Sequence, residues 1–99
     1  MTVIVIDLQD GFADDEVLIL AEGQEIFNKK GVNTDYSIGL AASVKCEVSV
    51  KHLIVEVSVP SRRISDNTKV DVSARSYLGV SILDNKIDYQ FSDEEFINF

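Results

Sequence analysis

The stretch that decides the fold is VKCEVSVKHLIVEVSV, residues 44–59. Apolar side chains recur at every second position in two runs, residues 44–50 and 53–59, and polar residues occupy most of the positions between them. Successive side chains of an extended strand point to opposite faces, so this spacing gathers the apolar side chains on one face. The stretch therefore predicts two half-buried strands, which we expect to form a hairpin that turns near Lys51 and His52.

The same alternation continues over most of the chain. Val and Ile together supply 23 residues and Leu and Ala only 12, a bias toward the β-branched side chains that suit a pleated sheet. We predict an all-β fold, an antiparallel β-sandwich of about eight or nine short strands, Ig-like or transthyretin-like in general shape, with a small barrel as the alternative. The strands are predicted at residues 2–8, 16–21, 24–29, 36–42, 44–50, 53–59, 68–75, 77–83 and 87–91.

Length limits the chain to one domain, because 99 residues build one modest core. We expect residues 1–99 to form it. Residues 3–6 and 17–20 are apolar at every position, which is typical of strands covered on both faces. We expect the aromatic tail, with Phe96 and Phe99, to fold back over them; the alternative cover is a second copy of the chain in a homo-oligomer.

Charge and cysteine content exclude some partners. The net charge of −8 opposes contacts with phosphates, so we expect no nucleic acid partner, and no membrane binding unless calcium reverses the local charge. Cys46 is the only cysteine, which excludes an internal disulfide and favours a reducing, cytoplasmic location. The first residues carry no positively charged leader pattern, so we expect no targeting segment.

The acidic loop at residues 7–16 is the candidate metal site. Asp7, Asp10, Asp14 and Asp15 have no basic neighbour there, and carboxylates are the ligands that Ca²⁺ prefers. The spacing does not fit an EF-hand, so a calcium site would need a second loop. The alternative is that these residues form solvated turns, since Asp caps turns through local hydrogen bonds. No cofactor is expected, with Ca²⁺ as the possible exception.

Two further groups are candidate binding residues. Arg62 and Arg63 are adjacent in an acidic chain and suit bidentate binding of a carboxylate or phosphate, unless they only offset the surrounding negative charge. Tyr77, Gly79 and Ser81 share one strand face, where a ring beside a glycine offers a stacking platform; the alternative is that the ring packs across the glycine.

No catalytic motif is complete, so we expect no enzymatic activity. His52 is the only histidine, and we expect it to be an exposed turn residue. In the predicted hairpin Cys46 faces Val57 and fills the core, too far from His52 for a nucleophile and base pair. The glycines stand apart from one another, which leaves no phosphate-binding loop.

Several short segments carry a resemblance to known proteins, namely residues 8–12, 31–35, 77–82 and 92–96. In these turn and strand signals the chain resembles small stand-alone bacterial β-sandwich proteins of uncharacterised function. The resemblance implies a fold and no chemistry.

These observations favour a non-enzymatic interaction or accessory module that recognises a protein partner. We expect recognition by the apolar face of the first two strands with the aromatic tail, or by an exposed sheet edge that accepts another strand. The alternative is a calcium-dependent ligand-binding module, C2-like or carbohydrate-binding-like, that uses the loop at residues 7–16.

Overall fold

A computed structural model of the chain describes residues 2–72 and 77–94. In this part of the chain eight strands and one short 3₁₀ turn, Pro60–Arg62, account for the regular structure. The strands are β1 Thr2–Leu8, β2 Asp15–Ala21, β3 Gln24–Val32, β4 Ala42–Val48, β5 His52–Val59, β6 Ile64–Asp71, β7 Tyr77–Leu83 and β8 Lys86–Ser92. The prediction of an all-β chain is confirmed. No helix of the described residues has the length and apolar composition needed to cross a membrane.

The strands form two four-stranded sheets. Sheet A has the order β4-β1-β7-β8 and sheet B the order β3-β2-β5-β6. All pairs are antiparallel except β1 and β7, which run parallel. The prediction of a purely antiparallel arrangement is therefore wrong for this pair. The chain passes from sheet B to sheet A between β6 and β7, so no hairpin dictates the direction in which β7 meets its neighbour.

One hydrophobic core joins the two sheets. The side chains that alternate inward from β1 and β7 of sheet A meet those from β2 and β5 of sheet B, and most of them are fully buried. Burial of this alternating set drives the fold, because each apolar side chain removed from water contributes about 1.5–3 kcal/mol. The inner faces are filled mainly by Ile4, Ile6, Val17, Ile19, Val55, Val57, Leu78 and Val80.

The predicted hairpin at residues 44–59 does not form. Strand β4 pairs with β1 in sheet A, whereas β5 pairs with β2 and β6 in sheet B. The short link at residues 49–51 therefore crosses between the sheets. Cys46 lies opposite Ile4, not Val57, and is half-buried against the core, while His52 is exposed at the first position of β5.

The predicted strand at residues 36–42 is wrong in its first part. Residues 36–39 form a turn between Asp35 and Leu40, which make an isolated bridge. The carboxylate of Asp35 accepts hydrogen bonds from the backbone and hydroxyl of Ser37, which hold its pKa below the ordinary value. Local capping of this kind competes with a strand ladder, and it prevails here over the β-branched and aromatic composition.

The predicted strand at residues 68–75 begins earlier than expected. Strand β6 starts at Ile64, directly after the 3₁₀ turn, and pairs with β5 along its whole length. Residues 73–75 of the prediction lie outside the described residues. The polar segment 65–67 belongs to an edge strand, where one backbone edge remains solvated, and so it lacks the alternation that marks a central strand.

Candidate functional site

An ion pair between the buried carboxylate of Asp15 and the half-buried guanidinium of Arg62 closes one end of the molecule. Asp15 is 2% exposed, and its carboxylate accepts hydrogen bonds from Arg62 Nε at 2.9 Å and Arg62 Nη2 at 2.8 Å. Arg62 Nη2 also donates to the carbonyl of Gly11 at 2.7 Å. The hydroxyl of Ser61 and the backbone N–H of Ala13 donate to the same carboxylate. This arrangement ties the β1–β2 loop to the 3₁₀ turn after β5.

The electrostatics of Asp15 follow from these partners. Burial raises the pKa of the carboxyl, but hydrogen bonds from Arg62, Ala13 and Ser61, together with the guanidinium charge, outweigh it. The pKa of Asp15 therefore lies below its ordinary value of 3.8, and the carboxylate stays ionised. The guanidinium of Arg62 is thus held by this carboxylate and by the Gly11 carbonyl.

Backbone geometry of the β1–β2 loop explains why the pair can form. Gly11 has a φ of 90°, and a Cβ there would run into the backbone carbonyl of Ile82. Asp14 also has a positive φ, 52°, and its N–H donates to the side chain of Asn33 at 2.8 Å. Asp is among the few residue types that tolerate this region, so the sequence of the loop matches its backbone.

The four predicted metal ligands are placed in different surroundings. Asp7 lies on the outer face of sheet A, where it accepts a hydrogen bond from the Ser43 hydroxyl at 2.7 Å, and Asp15 is held by Arg62. Asp10 and Asp14 are exposed in the loop between β1 and β2. Across residues 2–72 and 77–94, no group of three or more His, Cys, Asp or Glu side chains is arranged to hold a metal ion. The calcium site stays a prediction.

The outer face of sheet A contains a shallow depression of about 470 Å³. Its floor comes from the outward residues of β1, of which Val3 is 44% exposed and Asp7 is buried. Tyr77 borders the depression, and its role as a binding residue stays a prediction. The predicted platform beside it is not bare, because the side chain of Gln9 lies against Gly79, within 2.6 Å of where a Cβ would stand.

Arg63 lies apart from Arg62, although the two are adjacent in the sequence. Arg63 has a φ of 58° and follows the 3₁₀ turn, which directs it away from the buried pair. With Lys86 and Asn85 it borders a second depression, of about 400 Å³, that also contains Asp66. The two predicted binding arginines therefore do not form one site. Phe96 and Phe99 lie outside the described residues.

The outer face of sheet B carries an apolar stripe on its two central strands. Leu18 and Leu20 of β2 are half-buried there, and Ile54 of β5 is 43% exposed. Leu20 has Glu25 on one side and Glu56 on the other in the strand register. Residues 17–20 are apolar at every position, which the sequence alone shows, but the contribution of Ile54 depends on the pairing of β2 with β5.

The predicted apolar face of the first two strands does not exist as one surface. Strand β1 belongs to sheet A and β2 to sheet B, so their outer faces lie on opposite sides of the molecule. Val3 and Ile54 mark the two separate surfaces.

Comparison of the chain with protein-family models, curated proteins and solved structures finds no match.

Proposed function

We propose that the protein is a non-enzymatic interaction module that recognises a protein partner through the outer face of sheet B. The observation that carries this proposal is the stripe of Leu18, Leu20 and Ile54 on the two central strands. Central strands are the most rigid part of a sheet, and apolar side chains left open there are typical of interaction surfaces.

The sheet edges favour this face over strand addition. Each of the four edge strands carries an exposed charged side chain, namely Lys30 of β3, Lys45 of β4, Asp66 of β6 and Lys86 of β8. Strand β3 also contains two irregularities in its pairing with β2. Charges and bulges at an edge disfavour pairing with another strand, so the sheet face is the better candidate for recognition.

Two further properties of the protein are proposed, the type of β-sandwich and the cellular compartment. We propose a sandwich that is Ig-like or transthyretin-like and acts in the cytoplasm, the latter because Cys46 is the only cysteine. Two four-stranded sheets over one core support the sandwich. A second copy of the chain is the alternative occupant of the face, and sedimentation would reveal it.

Selection from a random peptide display library tests the proposal. We expect the wild-type chain to enrich peptides rich in apolar residues, and Ile54→Lys to abolish their binding by placing a charge in the stripe. Val3→Lys is the matched control, because Val3 is as exposed as Ile54 but lies on sheet A. If no peptide is enriched, or if Ile54→Lys leaves peptide binding unchanged, the proposed function is contradicted.

A further inference from the structure

We propose that the partner segment is basic as well as apolar, an inference that rests on the proposed function of the outer face of sheet B. The ligand class is an extended protein segment with lysine or arginine on both sides of an apolar side chain. Carboxylates that border the stripe point to this ligand class.

The strand register places carboxylates on both sides of Leu20. Glu25 of β3 lies opposite it across one strand boundary, and Glu56 of β5 lies opposite it across the other. Neighbouring strands lie about 4.8 Å apart, so the backbones that carry the two carboxylates are separated by about 10 Å with the leucine between them. Lysine and arginine side chains are long enough to reach both from an apolar residue that sits on Leu20.

Neither carboxylate is neutralised by the described part of the molecule. Glu25 accepts a hydrogen bond from the Asn28 amide at 2.9 Å, and no salt bridge involves Glu25 or Glu56 among the described residues. Lys69 of β6 lies opposite Ile54 and diagonally from Glu56 in the register, and among the described residues it forms no salt bridge with that carboxylate. The surface around Leu20 is therefore apolar in the middle and negative on both sides, and it is complementary to a basic segment.

Among the described residues of sheet A, no apolar side chain has a carboxylate on both sides in the strand register. Val5 of β1 has Lys45 on one side and Tyr77 on the other in its register row, so no pair of carboxylates brackets it. Within the strand pairings that the structure describes, two acids bracket an apolar side chain only in the row of Leu20. The net charge of −8 strengthens the attraction at long range but does not direct it to one face.

Three matched synthetic peptides test the inference, each with a central valine and with lysine, glutamine or glutamate two positions away on either side, so that in an extended segment all three side chains point to the same face. Binding is measured by fluorescence anisotropy at about 50 mM and about 300 mM salt, because screening weakens exposed charge pairs. At low salt we expect the lysine peptide to bind at least about tenfold tighter than the glutamine peptide, and the glutamate peptide to bind weakest. The ratio of the lysine and glutamine peptide affinities should fall at high salt.

Two double variants with equal charge change locate the effect. Glu25→Gln with Glu56→Gln should lower the preference for lysine to about twofold or less, whereas Glu47→Gln with Asp88→Asn, on sheet A, should leave it nearly unchanged. An equal loss in both pairs means attraction by net charge alone and overturns the inference.

The remaining outcomes separate the inference from the function. Equal affinity for the lysine and glutamine peptides, with both lost in Ile54→Lys, overturns the basic preference and leaves the interaction surface standing. Absence of binding by all three peptides at about 1 mM overturns the partner class, because even a weak specific contact is measurable there. The display selection then decides on the function itself.

Discussion

Replacing Arg62 with alanine would leave the buried Asp15 carboxylate without its charged partner. Two hydrogen bonds to the carboxylate and one to the carbonyl of Gly11 are lost, while the Ser61 hydroxyl and the Ala13 N–H still donate. Breaking a fully buried ion pair lowers the free energy of unfolding by about 3–5 kcal/mol. The Arg62 side chain is 26% exposed, so solvent screening and the remaining donors reduce the expected loss to about 2 kcal/mol.

Urea unfolding followed by circular dichroism measures this loss. A change of about 2 kcal/mol lowers the urea midpoint by roughly 1 M and the melting temperature by about 8–16 °C for a domain of this size. Arg63→Ala is the matched control, since Arg63 is exposed and outside the pair, and its effect should stay within about 0.5 kcal/mol. A loss below about 0.5 kcal/mol for Arg62→Ala would refute the reasoning.

The same pair makes stability depend on pH in a defined direction. The pKa of Asp15 is lowered in the folded state, so its contribution to stability is present above the ordinary value of 3.8 and is lost as pH falls through the folded-state pKa. We expect wild-type stability to fall more steeply on acidification below about pH 4 than that of Asp15→Asn. Parallel pH profiles of the two proteins would contradict this account.

Three more predictions concern single sites. Gly11→Ala should lower the free energy of unfolding in urea by about 3 kcal/mol or more, because the new Cβ meets backbone atoms. Gly23→Ala should lower it by about 1 kcal/mol, because Gly23 has a φ of 78° but no atom within 4 Å of the new Cβ. Equal losses in the two variants would contradict the steric explanation. Tyr89→Phe should raise the free energy of unfolding by about 1 kcal/mol, because the buried hydroxyl of Tyr89 has no hydrogen-bond partner among the described residues. A loss of stability would instead mean that the hydroxyl has a hydrogen-bond partner. Added Ca²⁺ should leave the melting temperature unchanged, because Arg62 already occupies the Asp15 carboxylate; a rise that Asp10→Asn abolishes would support the calcium-dependent alternative.

Burial of Tyr89 also has a spectroscopic consequence. Burial, and then the negative charges of Asp66 and Glu56, raise the pKa of its phenol far above the ordinary value of 10.0. The protonated form is therefore favoured in the folded state, and stability should decline as pH rises above about 10. Absorbance titration should find a tyrosine that ionises far above the ordinary value of 10.0 and that is absent from Tyr89→Phe.

Most strands that bury one face were predictable to within about two residues, and the strand expected at 44–50 is β4 at Ala42–Val48. The bounds expected for residues 2–8 and 77–83 agree with β1 and β7, and the expected strand at 53–59 differs from β5 by one residue. Alternating burial demands an apolar side chain at every second position, and that demand is written into the local sequence. At residues 36–39 a side-chain cap decides the structure instead, and the pattern of apolar residues is misleading there.

The candidate sites were less predictable because they join distant parts of the chain. Arg62 was identified from its charge, but Asp15, its partner, lies 47 positions away, and nothing local links them. The stripe of Leu18, Leu20 and Ile54 likewise requires that β2 pair with β5. The sequence marked the residues as unusual without indicating what they contact.

The order of amino acids by itself determined that the chain forms strands and which side of each strand is buried, because both depend on neighbours one or two positions away. Only the tertiary structure decided which strands share a sheet. The inner faces of both sheets meet the same core, so residues 44–50 and 53–59 satisfy the same apolar pattern whether they pair as a hairpin or belong to opposite sheets. Packing around the common core resolves that choice, and with it the position of every outward-facing surface.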